Sequence, residues 1–259
     1  MKKVLMLGFA VLAATILGIS AIAGAKDLPT IRSVENDWPP YFFKGKSQGL
    51  PGFGREVLAH CIPKTGFKVQ FTFYPVKRMY AYLEKGEIDL ALFSYKKSRE
   101  EFLHYGREPL FISGYRPVVR ADSGIQIQSI SDFDGLKLGH LAGLKYSRDF
   151  FSYLEKRRAK GTLVTGTTGD SCLKMLTRGM IDVFVDTGDT VRWRARQMGV
   201  KDKITILSYD IRTRPYYVTL SRRSPRITDK QGFLEKLDLC LKQMKADGTY
   251  GKISAKYGL

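Results

Sequence analysis

The 259-residue chain is poor in the residues that carry most covalent and metal chemistry: it has three cysteines and three histidines. His60, His104 and His140 are widely separated and lack partners at ligand spacing, so no metal centre is indicated. Cys61, Cys172 and Cys240 form no CxxC pair, and no cysteine, serine or threonine stands in a recognisable nucleophile arrangement. No cofactor is called for. Acidic residues are also scarce, 25 against 43 lysines and arginines. Long apolar runs are absent except one, from Val4 to Ala25.

That run follows Lys2 and Lys3 and ends Ala21-Ile22-Ala23-Gly24-Ala25 before Lys26-Asp27. A basic start, an apolar stretch and a small-residue end predict a secretory signal peptide over residues 1–25, cleaved after Ala25. A retained membrane anchor is the alternative, since the run is nearly long enough to span a bilayer, but Gly8, Gly18, Ser20 and Gly24 weaken it. With no cysteine at the junction, the expectation is a soluble periplasmic protein. Processing leaves 41 basic residues against 25 acidic, a formal charge of +16. Such charge commonly marks nucleic-acid binding. Here export argues against nucleic acid, and the basic residues are scattered, so they read mostly as solvated surface.

About 234 residues then remain, comfortable for two lobes rather than one core. Short apolar segments alternate with amphipathic ones, which predicts an α/β fold. Strands are expected at 31–34, 69–74 and 88–93, with helices at 54–62 and 77–84 between them. A crossing strand at 116–120 leads to a second unit: strands at 136–141, 163–165 and 181–185, helices at 147–158 and 171–178. The turn Lys85-Gly86-Glu87-Ile88-Asp89 returns as Arg178-Gly179-Met180-Ile181-Asp182. A strand at 204–207, another at 216–221 and a long helix from about 228 to 247 complete the chain. The expected division is a first lobe over 26–118, a second over 119–210, and a return to the first over 211–259, with a two-strand hinge between two parallel-type sheets. In such sheets ligands bind outside the carboxyl ends of the strands, which directs attention to the loops after Glu35 and Ser94. An oxidising periplasm permits one disulfide. Cys61 and Cys240, on helices expected in the same lobe, are the candidate pair, and three buried thiols are the alternative.

Taken in order, Trp38-Pro39-Pro40-Tyr41-Phe42, Gly52-Phe53, the Gly86 turn, Ser98-Arg99 with Tyr105-Gly106, Asp132-Phe133-Asp134-Gly135-Leu136, the Gly179 turn with Asp186, and Met244-Lys245-Ala246-Asp247-Gly248-Thr249-Tyr250-Gly251 resemble the bacterial extracellular solute-binding proteins of family 3, over essentially the whole mature chain. The resemblance implies a type II periplasmic binding protein fold, a monomer that passes an amino acid or similar polar solute to an inner-membrane ABC-type permease. It also implies residue roles. Arg99 would grip the ligand carboxylate, since a guanidinium presents paired donors at any relevant pH; the plainer alternative is a surface pair with Glu100 or Glu101. Asp186 would meet the ligand ammonium, or else cap the following helix. Trp38 would stack on the ligand and Phe53 supply a second wall, unless either is core. Glu35 stands where binders of basic amino acids carry an acid, with a salt bridge to a lysine as the alternative. Ser94 would offer a hydroxyl or backbone donor, Gly143 a helix-start amide, and Arg78, with Lys145, further positive charge. Leu144 replaces the family's hydroxyl-bearing residue, and Lys96 stands where a threonine is usual.

Two rival readings follow from the same scaffold. One is a dehydratase acting on cyclic acids, with Glu35 or Asp186 as the acid-base group. The other is a ligand-sensing subunit for a membrane sensor.

Overall fold

The computed structural model describes residues 28–45, 49–142, 144 and 146–259. The expected signal peptide, Gly143 and Lys145 lie outside the described residues. Among the described residues no helix is long and apolar enough to cross a membrane.

The first half is built on β1 (Thr30–Glu35), whose inner residues Ile31, Val34 and Glu35 are buried. Parallel β2 (Lys68–Phe73) pairs with it from Thr30↔Lys68 to Glu35↔Phe73, and β3 (Leu90–Ser94) lies on its other side. Helices α1 (Phe53–Cys61) and α2 (Val76–Lys85) cover opposite faces, over cores centred on Val57, Leu58 and Leu90 and on Met79, Leu83 and Ala91 respectively. Helix α2 ends at Gly86 in the left-handed conformation, φ 76°. A side chain there would also strike the Arg223 carbonyl, its Cβ 2.1 Å away, so glycine is required twice over.

The second half repeats the scheme. β5 (Leu138–Leu141) lies between parallel β6 (Leu163–Gly166) and β7 (Val183–Thr187), with α3 (Arg148–Ala159), α4 (Gly169–Thr177) and α5 (Gly188–Gln197) around them. Gly179, at φ 70°, closes α4 as Gly86 closes α2. The repeated turn therefore has one physical cause in both halves.

A long strand, β4 (Leu103–Arg120), joins the halves. It runs antiparallel to β9 (Arg212–Ser221) from Leu103↔Ser221 to Tyr115↔Arg212, then pairs β7 over Tyr115–Val119 and β8 (Ile204–Ile206) over Val118–Arg120. The result is one open sheet, ordered β2-β1-β3-β9-β4-β7-β5-β6 with β8 also on β4, rather than two separate sheets. β9 leaves β3 at Tyr216↔Ser94, and β4 joins β7 at Tyr115↔Thr187. Between these points Ile112–Gly114 and Thr213–Pro215 pair only with each other among the described residues. This two-strand stretch lies a few residues from the boundaries expected at 118/119 and 210/211. Gly106, Pro109 and register shifts between Tyr105 and Phe111 hid the start of β4 from a reading of its apolar pattern.

The chain ends in α6 (Lys230–Ala246) and α7 (Thr249–Lys256), which return to the first half. Cys240 on α6 is joined to Cys61 on α1 by a disulfide spanning 179 residues of sequence, while Cys172 is free and buried.

Candidate functional site

The crossing ribbon has two faces. Directly opposed residues in an antiparallel pair share a face, and so do residues two apart on one strand, while the residue between them faces the other side. The pairs Phe111↔Tyr216, Ser113↔Arg214 and Tyr115↔Arg212 therefore put Phe111, Ser113, Tyr115, Arg212, Arg214 and Tyr216 on one side. Ile112, Gly114, Arg116 and Thr213 fall on the other, where Arg116 pairs with Asp210 and donates to Thr213. The first face is the one that residues of both halves approach.

From the first half comes an aromatic group. The half-buried Trp38 meets Tyr216 edge-on with ring centres 4.8 Å apart, and packs likewise on Phe111 at 5.3 Å and Tyr41 at 5.1 Å. Tyr41 stacks on Phe111 at 3.8 Å. Arg99 stands nearby on a short turn after β3. Its Nη1 donates to the Ser94 carbonyl (2.8 Å) and its Nη2 to the Tyr80 hydroxyl (2.7 Å), with the guanidinium 4.7 Å from the Phe93 ring centre. It does not pair with Glu100 or Glu101 among the described bonds. A guanidinium has five N–H donors, so three are left over after these two bonds among the described residues.

From the second half comes Tyr146, edge-on to Tyr115 at 5.1 Å, with its carbonyl accepting from Arg212 Nη1 at 3.1 Å. Its hydroxyl donates to the Val185 carbonyl at 3.1 Å and lies 3.3 Å from His140 Nδ1. Asp186 closes β7 and is buried, with one carboxylate oxygen accepting from the Thr187 amide at 2.7 Å. Burial pushes its carboxyl up to about 6, against the Thr187 hydrogen bond and the Arg194 charge that favour ionisation. The Tyr115 and Tyr146 phenols are raised well above their ordinary range, chiefly by burial and then by Tyr216 and Asp186 respectively. Both stay neutral donors. The Tyr216 phenol is also raised by burial, against the pull of Arg212, Arg214 and Arg99.

The expected residues are thus unequally placed. Arg99, Ser94 and Trp38 border or approach the ribbon face, whereas Asp186 is paired with Arg116 in the strand register and so set on the opposite side, close enough to Tyr115 and Tyr146 to raise their phenols. Glu35 does not offer a free acid. It is buried, and Arg55 Nε donates to both of its oxygens at 2.7 and 2.8 Å, so its partner is an arginine rather than a surface lysine. Phe53 is not a cleft wall either. It is fully buried among Tyr41, Tyr250 and Tyr257, because as the first residue of α1 it faces the core. Arg78 is an exposed residue of α2. Leu144 packs against the core of the second half. Sequence reading missed Tyr80, Tyr115, Tyr146, Arg212 and Tyr216; the run Arg212-Thr213-Arg214-Pro215-Tyr216-Tyr217, alternating cations and aromatics toward one face, was the available signal.

A clasp also bridges the halves, with Asp189 close to Ile112, Gly114, Arg116 and Thr213 on the other face. Tyr41 donates to Asp189 (2.6 Å), Thr190 donates to the Pro39 carbonyl (2.6 Å), and Trp193 of α5 packs 5.4 Å from Phe43. Among the described residues no group of three or more His, Cys, Asp or Glu side chains could hold a metal.

Residues 31–259 match the family model of the bacterial extracellular solute-binding proteins, family 3. The chain belongs to this family. A search of curated proteins gives no match. Among solved structures, this family 3 protein is similar to substrate-binding domain 2 of GlnP from Lactococcus lactis in an open conformation, at 22% identity, 90% of this chain, 96% of that one and a TM-score of 0.67. It is similar to an ancestral cationic amino acid solute-binding protein (20%, 88% and 95%, 0.68) and to a histidine kinase sensor domain described as similar to periplasmic binding proteins (20%, 90% and 96%, 0.65). At these identities the likeness establishes the two-lobed α/β fold.

Proposed function

We propose that this family 3 protein is a periplasmic receptor, not an enzyme, that closes around a small solute bearing a carboxylate and delivers it to an ABC-type permease. The observation that carries this reading is Arg99: a guanidinium oriented by the Ser94 carbonyl and Tyr80, with donors to spare, beside a ribbon face that both lobes approach. A preset fork loses less freedom when it takes a carboxylate. Asp186, near the end of β7 opposite Arg116 and close to Tyr115, is the acid for a ligand ammonium. Ile112–Gly114 and Thr213–Pro215, with no third strand beside them among the described residues, form the hinge, and the Tyr41–Asp189 and Thr190–Pro39 bonds hold the closed state.

Catalysis has less support, because general acid-base work needs an acid free to reach substrate. Glu35 is committed to Arg55, and Asp186 is buried and held by Thr187 through both its amide and its side chain. A sensing role remains a second reading on account of the likeness to a kinase sensor domain. Melting curves with amino acids, polyamines and carboxylic acids test the receptor reading: a true ligand at a hundred times its Kd adds about 2.7 kcal/mol. Turnover of a cyclic acid that disappears in Glu35→Gln would favour the enzyme instead.

A further inference from the structure

We infer that the cleft selects a solute with two carboxylate groups, one held by Arg99 and the other by Arg212. This rests on the receptor reading and names its ligand class. Arg212 is half-buried, lies directly opposite Tyr115 on the ribbon, and spends one donor on the Tyr146 carbonyl. Four of its five N–H groups are left over among the described residues. A partly desolvated guanidinium anchored at one corner is an incomplete anion site, since the remaining fork matches a planar carboxylate.

The surrounding charges point the same way. Three arginines act on the Tyr216 phenol: Arg99 from the first lobe, and Arg212 and Arg214 from the ribbon itself. Asp186 acts on Tyr115 and Tyr146, and no acid is found acting on Tyr216 among the described residues. With Asp186 ionised, one carboxylate would leave this face net positive; a second removes a further positive charge, and brings it close to neutrality for a solute without an ammonium group.

Glu35 completes the argument by what it does not do. An acid at the carboxyl end of β1 would attract a cationic ligand side chain only while its charge was available. Arg55 bonds both of its oxygens, and the Arg55 guanidinium is itself 5.3 Å from the Phe71 ring centre. Arg55 thus neutralises Glu35 within the first lobe, and Glu35 offers no free charge to a cationic solute.

The test is calorimetric titration of the exhaustively dialysed protein with L-glutamate, L-aspartate and succinate, against L-glutamine, L-alanine, L-lysine, L-arginine and putrescine. The expected result is that a diacid binds tightest, that its affinity falls with added salt, and that Arg212→Gln weakens it at least about tenfold, the loss of one charged hydrogen-bonding partner. L-Glutamine and L-alanine, with one carboxylate, should change less than about threefold in that variant, within the range of an indirect effect. Arg212→Lys should recover part of the loss. If Arg212→Gln does not fold, the wild-type ranking decides. Tightest binding of a neutral or cationic solute overturns the diacid inference and leaves the receptor reading standing. No binding of any probe overturns the receptor reading, and this inference with it.

Discussion

Arg55 Nε lies 2.7 and 2.8 Å from the two carboxylate oxygens of Glu35, whose side chain is 2% exposed while that of Arg55 is 23% exposed. The asymmetry makes the two halves of the pair unequal. Arg55→Met strands a buried carboxylate and should destabilise the fold by about 3 kcal/mol. Glu35→Gln leaves a guanidinium that reaches water and should cost about 1 kcal/mol. Urea unfolding of both variants checks the order, and a reversed order would mean that Arg55 carries the buried charge.

The pH dependence of Asp186 has the opposite sign from that of an ordinary paired carboxylate. Its folded-state value, about 6, is above the ordinary 3.8, so the folded chain holds the proton more tightly than the unfolded chain does. Stability from this group is full below the ordinary value and is lost as pH rises through about 6. The groups acting on it are the Thr187 amide and Arg194, which favour its charge, and it in turn raises Tyr115, Tyr146 and Cys172. Asp186→Asn should therefore gain stability over wild type at pH 8 relative to pH 4, by about 2 kcal/mol. A difference independent of pH, measured by urea unfolding at both values, contradicts this account.

The clasp predicts a linkage between stability of the closed form and affinity. Tyr41→Phe removes the hydroxyl bond to Asp189, which keeps its bond to Arg192 at 2.6 Å. If closure and binding are coupled, affinity for the cognate solute falls roughly tenfold, with the melting point of ligand-free protein little changed. Small-angle scattering of the ligand-free variant should report a larger radius of gyration. Unchanged affinity would separate the clasp from closure.

Sulfur chemistry gives a further check. The Cys61–Cys240 bridge closes a loop of 179 residues, so reduction should cost up to about 5 kcal/mol through the unfolded chain. Burial pushes the Cys172 thiol up to about 11. One thiol should thus titrate with a disulfide-exchange reagent in the unfolded protein, and essentially none in the native one.

Much of the fold was readable because its causes are local. Alternating apolar segments placed most strands and helices to within a few residues, and Gly86 and Gly179 marked the same left-handed helix stop in both lobes. The candidate disulfide was legible from the shared lobe of its two helices. Long-range partners were not. Nothing near Glu35 in sequence announces that a residue twenty positions on, delivered by α1, will neutralise it. Phe53 read as either a cleft wall or core, and the direction of α1 places it in the core. Arg212 became a site candidate only when the β4–β9 register set it opposite Tyr115, a relation across about a hundred residues that no local pattern encodes.

The central claim is that Arg99 holds a carboxylate-bearing solute in a closing cleft. Calorimetric titration of wild type and Arg99→Ala with the solute identified by mass spectrometry of material released from purified protein tests it most directly. The account predicts one-to-one binding by wild type and a loss of at least about 1.5 kcal/mol in the variant, the scale of a charged hydrogen bond. Equal affinity in the two proteins, or wild-type protein that binds no small solute, would contradict it.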